Sequence, residues 1–159
     1  MEVPQFKPLR WAYGFDDVSI APGEVTANPD QTDISFELGG HRLELPILAA
    51  SLDAVSSPSF AVQMGRSGGL AVMNLEGLYT RYEDLTDALQ SVIDAPLEEC
   101  TALLQKLYSA SIREDLIARC IKEVKASGVV CAVAVTPQNT KRFVSVIQEA
   151  GADILMVQA

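Results

Sequence analysis

The chain has 159 residues, of which 48% are hydrophobic and 21% charged, and this composition is typical of one folded domain with a buried core. Twelve basic residues against 21 acidic ones give a net charge of −9, which argues against nucleic acid and anionic membranes as partners because both require a basic surface. No stretch has the roughly 18 apolar residues that span a bilayer, and the N-terminus lacks the pattern of a signal peptide, so we expect a cytoplasmic protein.

The first 46 residues form an irregular segment that is rich in Pro and Gly. An alternating run at 33–38, the pair Gly39-Gly40 and a second run at 41–45 predict a β-hairpin, which we expect outside the main core. Asp16 and Asp17 are paired carboxylates, the residue type of acid–base catalysis, but a helix cap or turn is the favoured interpretation.

From Pro46 onward, short apolar runs alternate with amphipathic helical patterns. The apolar runs lie at 47–51, 70–74, 129–136 and 154–157, and we expect the first to be buried on both faces. The helical patterns lie at 58–66, 82–93, 97–109, 113–127 and 139–150. Such alternation is typical of parallel strands covered by helices, in about four βα units. Since no linker interrupts the pattern, residues 1–159 are interpreted as a single domain.

Two of the helical patterns have well-defined apolar faces. In the pattern at 82–93, these residues are Leu85, Ala88, Leu89, Val92 and Ile93. In the pattern at 113–127, the residues expected to face inward are Leu116, Ile117, Cys120, Ile121 and Val124.

The three cysteines, Cys100, Cys120 and Cys131, do not form a zinc-binding pattern. They contain no CxxC pair, and His41 is the sole histidine, so no metal site is expected. Their odd number favours reduced thiols. Cys120 and Cys131 lie in apolar patterns and are expected in the core.

The last apolar run ends at the end of the chain. A parallel strand with apolar residues on both faces is not stable as an open edge. We therefore expect that the sequence represents part of a longer fold.

Four segments carry a resemblance to a known family. YGFDDVSIAP at 13–22 resembles an FDDV-x-x-x-P opening, and LPILAASLDAV at 45–55 looks like a first barrel strand with the pattern PI-x-x-ASMD-x-V. GGLAVMN at 68–74 is similar to a GGLGVI second strand that ends in a polar residue, and EAGADIL at 149–155 matches an EAGAD-x-L turn. These patterns, in this order, are those of the IMP dehydrogenase/GMP reductase family.

The resemblance implies the N-terminal half of a (β/α)₈ TIM barrel, whose active site lies at the carboxyl ends of the strands. It implies that Ala50, Ser51 and Leu52 contact the purine nucleotide. Asn74 and Gln158 take positions near the nicotinamide cofactor, NAD or NADP. An alternative for the loop at 51–53 is a helix N-terminus capped by Asp53, and an alternative for Asn74 is a strand-end residue without a role.

Three of these positions depart from the family pattern. Leu52 replaces a methionine of similar volume, so an apolar wall against the purine is retained. Asn74 stands where IMP dehydrogenases commonly have histidine, and Gln158 stands where they have an aspartate that contacts the cofactor ribose. An amide can donate as well as accept hydrogen bonds, so the cofactor preference could differ. Residues 136–139 are expected to open a helix at the same end of the barrel.

The family chemistry uses a cysteine thiolate that adds to C2 of the purine. By resemblance this nucleophile, the phosphate-binding loops and a possible monovalent-cation site lie beyond Ala159, so no catalytic residue is assigned and residues 1–159 alone are expected to be inactive. IMP dehydrogenases usually carry a pair of CBS modules after the second strand and its helix, and no such domain fits between Asn74 and Val129. The resemblance also implies a homo-oligomer, with a tetramer as one form.

The leading hypothesis is an IMP dehydrogenase-type oxidoreductase, nearest the short branch without CBS modules. GMP reductase is the alternative within the family. A non-catalytic nucleotide-binding relative and an unrelated α/β barrel are the alternatives from other classes.

Overall fold

The structure is a computed structural model that describes residues 11–158. The start of the predicted N-terminal segment, 1–10, and Ala159 lie outside the described residues. The chain divides into two compact units after Asp33. In the first unit, short 3-10 helices form at Phe15–Asp17 and Pro29–Gln31, and the Asp17 carboxylate accepts a hydrogen bond from Gly14 N at 2.9 Å. The turn interpretation of Asp16 and Asp17 is therefore confirmed.

The second unit contains a β-hairpin and a four-stranded parallel sheet. The hairpin strands are β1 (Phe36–Leu38) and β2 (His41–Leu43), which pair antiparallel. The parallel strands, in the order β3-β4-β5-β6, are Leu48–Ala49, Leu70–Asn74, Ala132–Val135 and Ile154–Val157. The predicted α/β fold with a parallel sheet is confirmed, and the hairpin makes the second unit begin before the predicted division at Pro46.

Between residues 11 and 158, five α-helices accompany the sheet. They are α1 (Pro58–Arg66), α2 (Thr86–Asp94), α3 (Leu97–Tyr108), α4 (Glu114–Ala126) and α5 (Pro137–Ala150). Both α1 and α5 begin with a proline, which suits the first helical position because its missing N–H is not needed there. α5 ends at Gly151, whose φ of 87° is a left-handed conformation that glycine adopts readily. Between residues 11 and 158, no helix is long and apolar enough to cross a membrane.

The two faces of the sheet are covered by different elements. Alternate residues such as Met73, Val133 and Val135 pack against α1, α4 and α5, and the five inward residues predicted for α4 are all buried. The opposite residues, such as Val72 and Ala134, pack against the hairpin. This alternation follows from the two-residue period of a strand.

The hairpin lies outside the main core, as expected, but it forms a second, smaller core on the opposite face of the sheet. Leu43 of β2 is only 5% exposed, and Phe36 and Leu38 pack beside it against the sheet. A parallel sheet with apolar residues on both faces needs cover on both, and the hairpin covers the face that the helices leave open. A Cβ at Gly39 would lie 3.6 Å from Ile154 Cγ1, so the hairpin turn lies against the beginning of β6.

One expectation about burial was wrong, and one helix differs from its predicted bounds. The run at 47–51 is not buried on both faces, because β3 pairs with β4 alone among the described strands, and Ile47 and Leu48 are about half exposed. The helix expected at 82–93 begins later, at Thr86, and its apolar face is not part of the core. No residue of α2 or α3 is buried; Ile93 and Leu97, where the two helices meet, are largely exposed.

A polar cluster joins the beginnings of β5 and β6. The Asp153 carboxylate accepts hydrogen bonds from Cys131 N at 2.8 Å and from Lys125 Nζ at 2.7 and 2.8 Å. Burial alone raises the pKa of Asp153, but the hydrogen bonds from Cys131 and Lys125 and the lysine charge outweigh it, so the pKa lies below its ordinary value of 3.8. The aspartate of the EAGAD turn therefore has a structural role here.

We expect Asp153→Asn to lower the free energy of unfolding by about 1–2 kcal/mol at pH 7, because the ion pair is lost while an acceptor for Cys131 N remains. Since the folded-state pKa is lowered, the carboxylate stabilises the fold above its unfolded pKa, and this contribution is lost as the pH falls through the folded pKa. In urea titrations the difference from wild type should narrow below about pH 4. Asp87→Asn, at an exposed position, is the control; a difference that does not change with pH contradicts the assignment.

Candidate functional site

The predicted site residues lie at one edge of the sheet. Parallel strands end at a common edge, and ligands of such folds bind beside the carboxyl ends. Ala50–Leu52 follow β3, Asn74 ends β4 and Gln158 follows β6. We call this edge the mouth, formed by residues 50–53, 74–78, 136–139 and 158.

Ser51 and Gln158 touch each other across the mouth. The Ser51 hydroxyl donates a hydrogen bond to Gln158 Oε1, although the two residues are 107 positions apart. Ser51 is buried, whereas Gln158 is exposed. The sheet therefore brings a predicted substrate residue and a predicted cofactor residue into direct contact. Whether they bind these ligands stays a prediction.

The loop after β3 is held by hydrogen bonds to one of its own carbonyl oxygens. Ala50 O accepts hydrogen bonds from Leu52 N at 2.8 Å and from the Ser56 hydroxyl at 2.6 Å. Leu52 exposes 54% of its surface. An apolar side chain presented in this way, beside buried Ser51, is suited to pack against a flat aromatic ring.

Asn74 uses the oxygen of its side-chain amide for a hydrogen bond within the protein. Its Oδ1 accepts from Glu76 N at 2.9 Å, which turns the chain sharply after β4. Its Nδ2 makes no hydrogen bond within the described residues and remains a donor for a ligand. Both interpretations of Asn74, as a site residue and as a strand-end residue without a role, are compatible with this geometry.

Glu76 connects two loops of the mouth and was not identified from the sequence. Its carboxylate accepts from Thr136 N at 2.6 Å and from Asn139 Nδ2 at 2.8 Å, so it fixes the beginning of α5. Burial raises the pKa of Glu76, but these hydrogen bonds and the charge of Arg81 outweigh it, and the pKa is lowered. Residues 136–139 do open a helix, as expected, and the carboxylate that holds them comes from another loop.

Asp53 also connects two loops, and it does not cap α1 as the alternative interpretation had it. The cap of α1 is Ser57, whose hydroxyl accepts from Phe60 N at 3.1 Å. Asp53 Oδ2 instead accepts from Leu78 N at 2.6 Å. Asp53 Oδ1 is buried and has no hydrogen-bond partner among the described residues.

Gly77 allows this close approach of the two loops. A Cβ at position 77 would lie 1.8 Å from Asp53 Oδ1, far inside van der Waals contact. The backbone φ at Gly77 is −83°, so alanine would be excluded by space and not by conformation. Neither Asp53 nor Gly77 was recognised from the sequence as a loop-to-loop contact, since nothing local marks it.

The buried cysteines are not suited to be nucleophiles. Burial raises the pKa of the Cys120 thiol to about 11 and that of the Cys131 thiol to about 12. A thiol with such a pKa is almost entirely protonated at neutral pH, whereas the thiolate is the reactive form. Their predicted place in the core is confirmed. Between residues 11 and 158, no group of three or more His, Cys, Asp or Glu side chains could hold a metal ion.

We expect Gly77→Ala to destabilise the protein by about 2–3 kcal/mol, because the new Cβ displaces Asp53 and breaks its bond to Leu78 N. Gly23→Ala is the matched control, since its Cβ would meet Val25 O at an ordinary 3.8 Å. Urea unfolding of both variants measures the difference. Equal stabilities for the two variants would show that Asp53 does not occupy this position.

Three comparisons bear on the identity of the chain. Residues 12–159 match the family model described as the IMP dehydrogenase / GMP reductase domain. An uncharacterized oxidoreductase from Mycolicibacterium smegmatis is 33% identical over 99% of this chain and 44% of its own length. An inosine-5'-monophosphate dehydrogenase from Methanocaldococcus jannaschii is 40% identical over 63 residues, which are 40% of this chain and 13% of that protein.

A solved structure shows the same fold. The crystal structure of an IMP dehydrogenase/GMP reductase-like protein from Corynebacterium glutamicum superposes with a TM-score of 0.83 at 34% identity, over 95% of this chain and 42% of that one. The chain thus spans less than half the length of the mycobacterial relative and of this structure. The chain belongs to the IMP dehydrogenase/GMP reductase family.

Proposed function

We propose that residues 47–159 are the first half of a (β/α)₈ barrel and carry part of the site of an IMP dehydrogenase-type oxidoreductase. The reaction would convert IMP, NAD and water to XMP, NADH and a proton: a cysteine thiolate located beyond Ala159 would add to C2 of the purine, hydride would leave to the nicotinamide, and water would release the product. The observation that carries this proposal is the contact between Ser51 and Gln158, because it joins the two predicted half-sites at one mouth. Family membership supports it independently.

We assign the purine nucleotide to Ala50, Ser51 and Leu52, and the nicotinamide cofactor, NAD or NADP, to Asn74 and Gln158. The donor set suits such a cofactor: Asn74 Nδ2 makes no hydrogen bond within residues 11–158, and Gln158 is exposed and uses Oε1 for Ser51. Amide N–H groups can bind ribose hydroxyls or a carboxamide oxygen. When bound, the cofactor would supply the hydride acceptor. A homo-oligomer, with a tetramer as one form, is part of the proposal.

GMP reductase, which converts GMP and NADPH to IMP, ammonia and NADP, is the second candidate. The family resemblance places a chain without CBS modules near this candidate as well as near the short IMP dehydrogenase branch. The stretch between β4 and β5 also contains only short helices and connectors among the described residues, without an inserted domain.

The deciding experiment is an assay of the full-length protein with IMP plus NAD and, separately, with GMP plus NADPH. Turnover in the first assay supports the leading proposal, and turnover in the second supports the alternative. Nucleotide binding without turnover in either would assign a non-catalytic nucleotide-binding protein. If neither IMP nor GMP binds, the purine-nucleotide proposal fails.

We expect Ser51→Ala to raise KM for the nucleotide about five- to tenfold with a smaller change in kcat, because the variant loses one hydroxyl and leaves Gln158 Oε1 without its donor. Ser67→Ala removes an exposed hydroxyl that donates to Gln63 O at 3.0 Å, and serves as the control. Steady-state kinetics with the active substrate pair measures both. Identical KM values for the two variants would remove Ser51 from the nucleotide site.

A further inference from the structure

The helical hairpin formed by α2 and α3 is attached to the rest of the unit mainly at one end. Neither helix has a buried residue. At its base, the Tyr82 hydroxyl donates to Leu107 O at 2.9 Å, Arg81 Nη1 donates to Ala110 O, and Arg113 N donates to Thr80 O at 2.8 Å. These hydrogen bonds attach the hairpin by polar contacts, whereas α1, α4 and α5 are held by apolar packing.

One side chain of this hairpin reaches the mouth. The Tyr108 hydroxyl, at the end of α3, donates to Asp53 Oδ2 at 2.7 Å. The same oxygen accepts from Leu78 N, so Asp53 receives two hydrogen bonds on one atom. Asp53 follows Leu52 directly in the chain. A shift of the Asp53 side chain therefore moves the loop that carries Ser51 and Leu52, the residues assigned to the nucleotide.

The surroundings of Tyr108 keep its hydroxyl a hydrogen-bond donor. Burial, together with the hydrogen bond to Asp53 and the charge of that residue, raises the pKa of Tyr108 to about 12. The phenol therefore remains protonated across the pH range in which proteins are stable. The Arg81 guanidinium lies 5.6 Å from the centre of the tyrosine ring, a distance at which a cation attracts an aromatic face.

We infer that Tyr108 is a positioning residue for the loop after β3, and that through Asp53 it sets the affinity of the nucleotide site. Tyr108 is not one of the residues assigned to the nucleotide or to the cofactor. Asp53 is fixed from two directions, by Leu78 N from the neighbouring loop and by Tyr108 from α3. Gly77 packs against Asp53 Oδ1, so the carboxylate is confined to one position. This position in turn fixes the loop that carries Ser51 and Leu52. The part of this inference that concerns affinity rests on the proposed function.

The test compares Tyr108→Phe with Tyr82→Phe in the full-length protein. Both variants remove one tyrosine hydroxyl that bonds at the base of the hairpin, but Tyr82 bonds to Leu107 O and not to Asp53. Hydrogen exchange without ligand reports on the loop itself, through the amides of Leu52, Val55 and Ser56, which donate within the loop at 2.8–2.9 Å. We expect Tyr108→Phe to accelerate their exchange about five- to tenfold, and Tyr82→Phe to leave it unchanged.

Calorimetric titration with IMP and with GMP gives the second readout. We expect Tyr108→Phe to weaken binding of the nucleotide that the wild type binds by about fivefold, without the same loss for Tyr82→Phe. In a background with Asp53→Ala, Tyr108→Phe should weaken binding no further, because the two residues act through one hydrogen bond.

Equal exchange in the two tyrosine variants overturns the inference, whatever the protein binds. Faster exchange in Tyr108→Phe with unchanged nucleotide affinity overturns the part that concerns affinity, and so does an additive effect in the Asp53→Ala background. If the wild type binds neither IMP nor GMP, the proposed function fails, and the exchange data alone decide whether Tyr108 positions the loop.

Discussion

Strands that run in the same direction end at the same edge of their sheet, and every polar group of the candidate site depends on this constraint. β3, β4, β5 and β6 pair in parallel register, so their following loops leave side by side. Ser51 meets Gln158 there, and Glu76 meets Thr136 and Asn139, across 60 residues or more of intervening chain. No local property of these segments would bring them together. The parallel register of the sheet brings them together, and the carboxylates of Asp53 and Glu76 then join neighbouring loops by hydrogen bonds.

The same sheet explains why the site opens at one end. Helices cover one face of the strands, and the hairpin covers the other face near their beginnings, where Leu43 packs on Leu70 and Ala132. On the face that the hairpin covers, a ligand can approach only beyond the hairpin, at the carboxyl ends of the strands. Polar residues at the strand ends, Asn74 among them, occupy that part. The hairpin thus closes the amino-terminal side while Asp153 and Lys125 fasten the strand beginnings from the helix side.

Much of this arrangement could be predicted from the sequence, because apolar periodicity reports directly on burial. The run at 70–74 and the inward face of α4 agree with the structure residue by residue. Periodicity does not report what covers an apolar face, which is why the exposure of α2 and the burial of the hairpin were missed. The contacts of Asp53 and Glu76 join loops far apart in the chain, and a single carboxylate in a loop carries no signal of its partner.

The helical hairpin of α2 and α3, between β4 and α4, contacts the rest of the unit at its base and through Tyr108 at Asp53. Arg113 N and Thr80 O lie 2.8 Å apart, and the helices between them bury nothing. Because the entropy of closing a loop grows slowly with its length, chain inserted or deleted here disturbs no core packing. The junction is therefore a place where chain can be inserted or deleted without loss of the sheet or of the helices that pack on it. A relative in which other chain replaces α2 and α3 would keep the sheet but lose Tyr108. Its loop after β3 would then need another hydrogen-bond donor to the carboxylate that corresponds to Asp53.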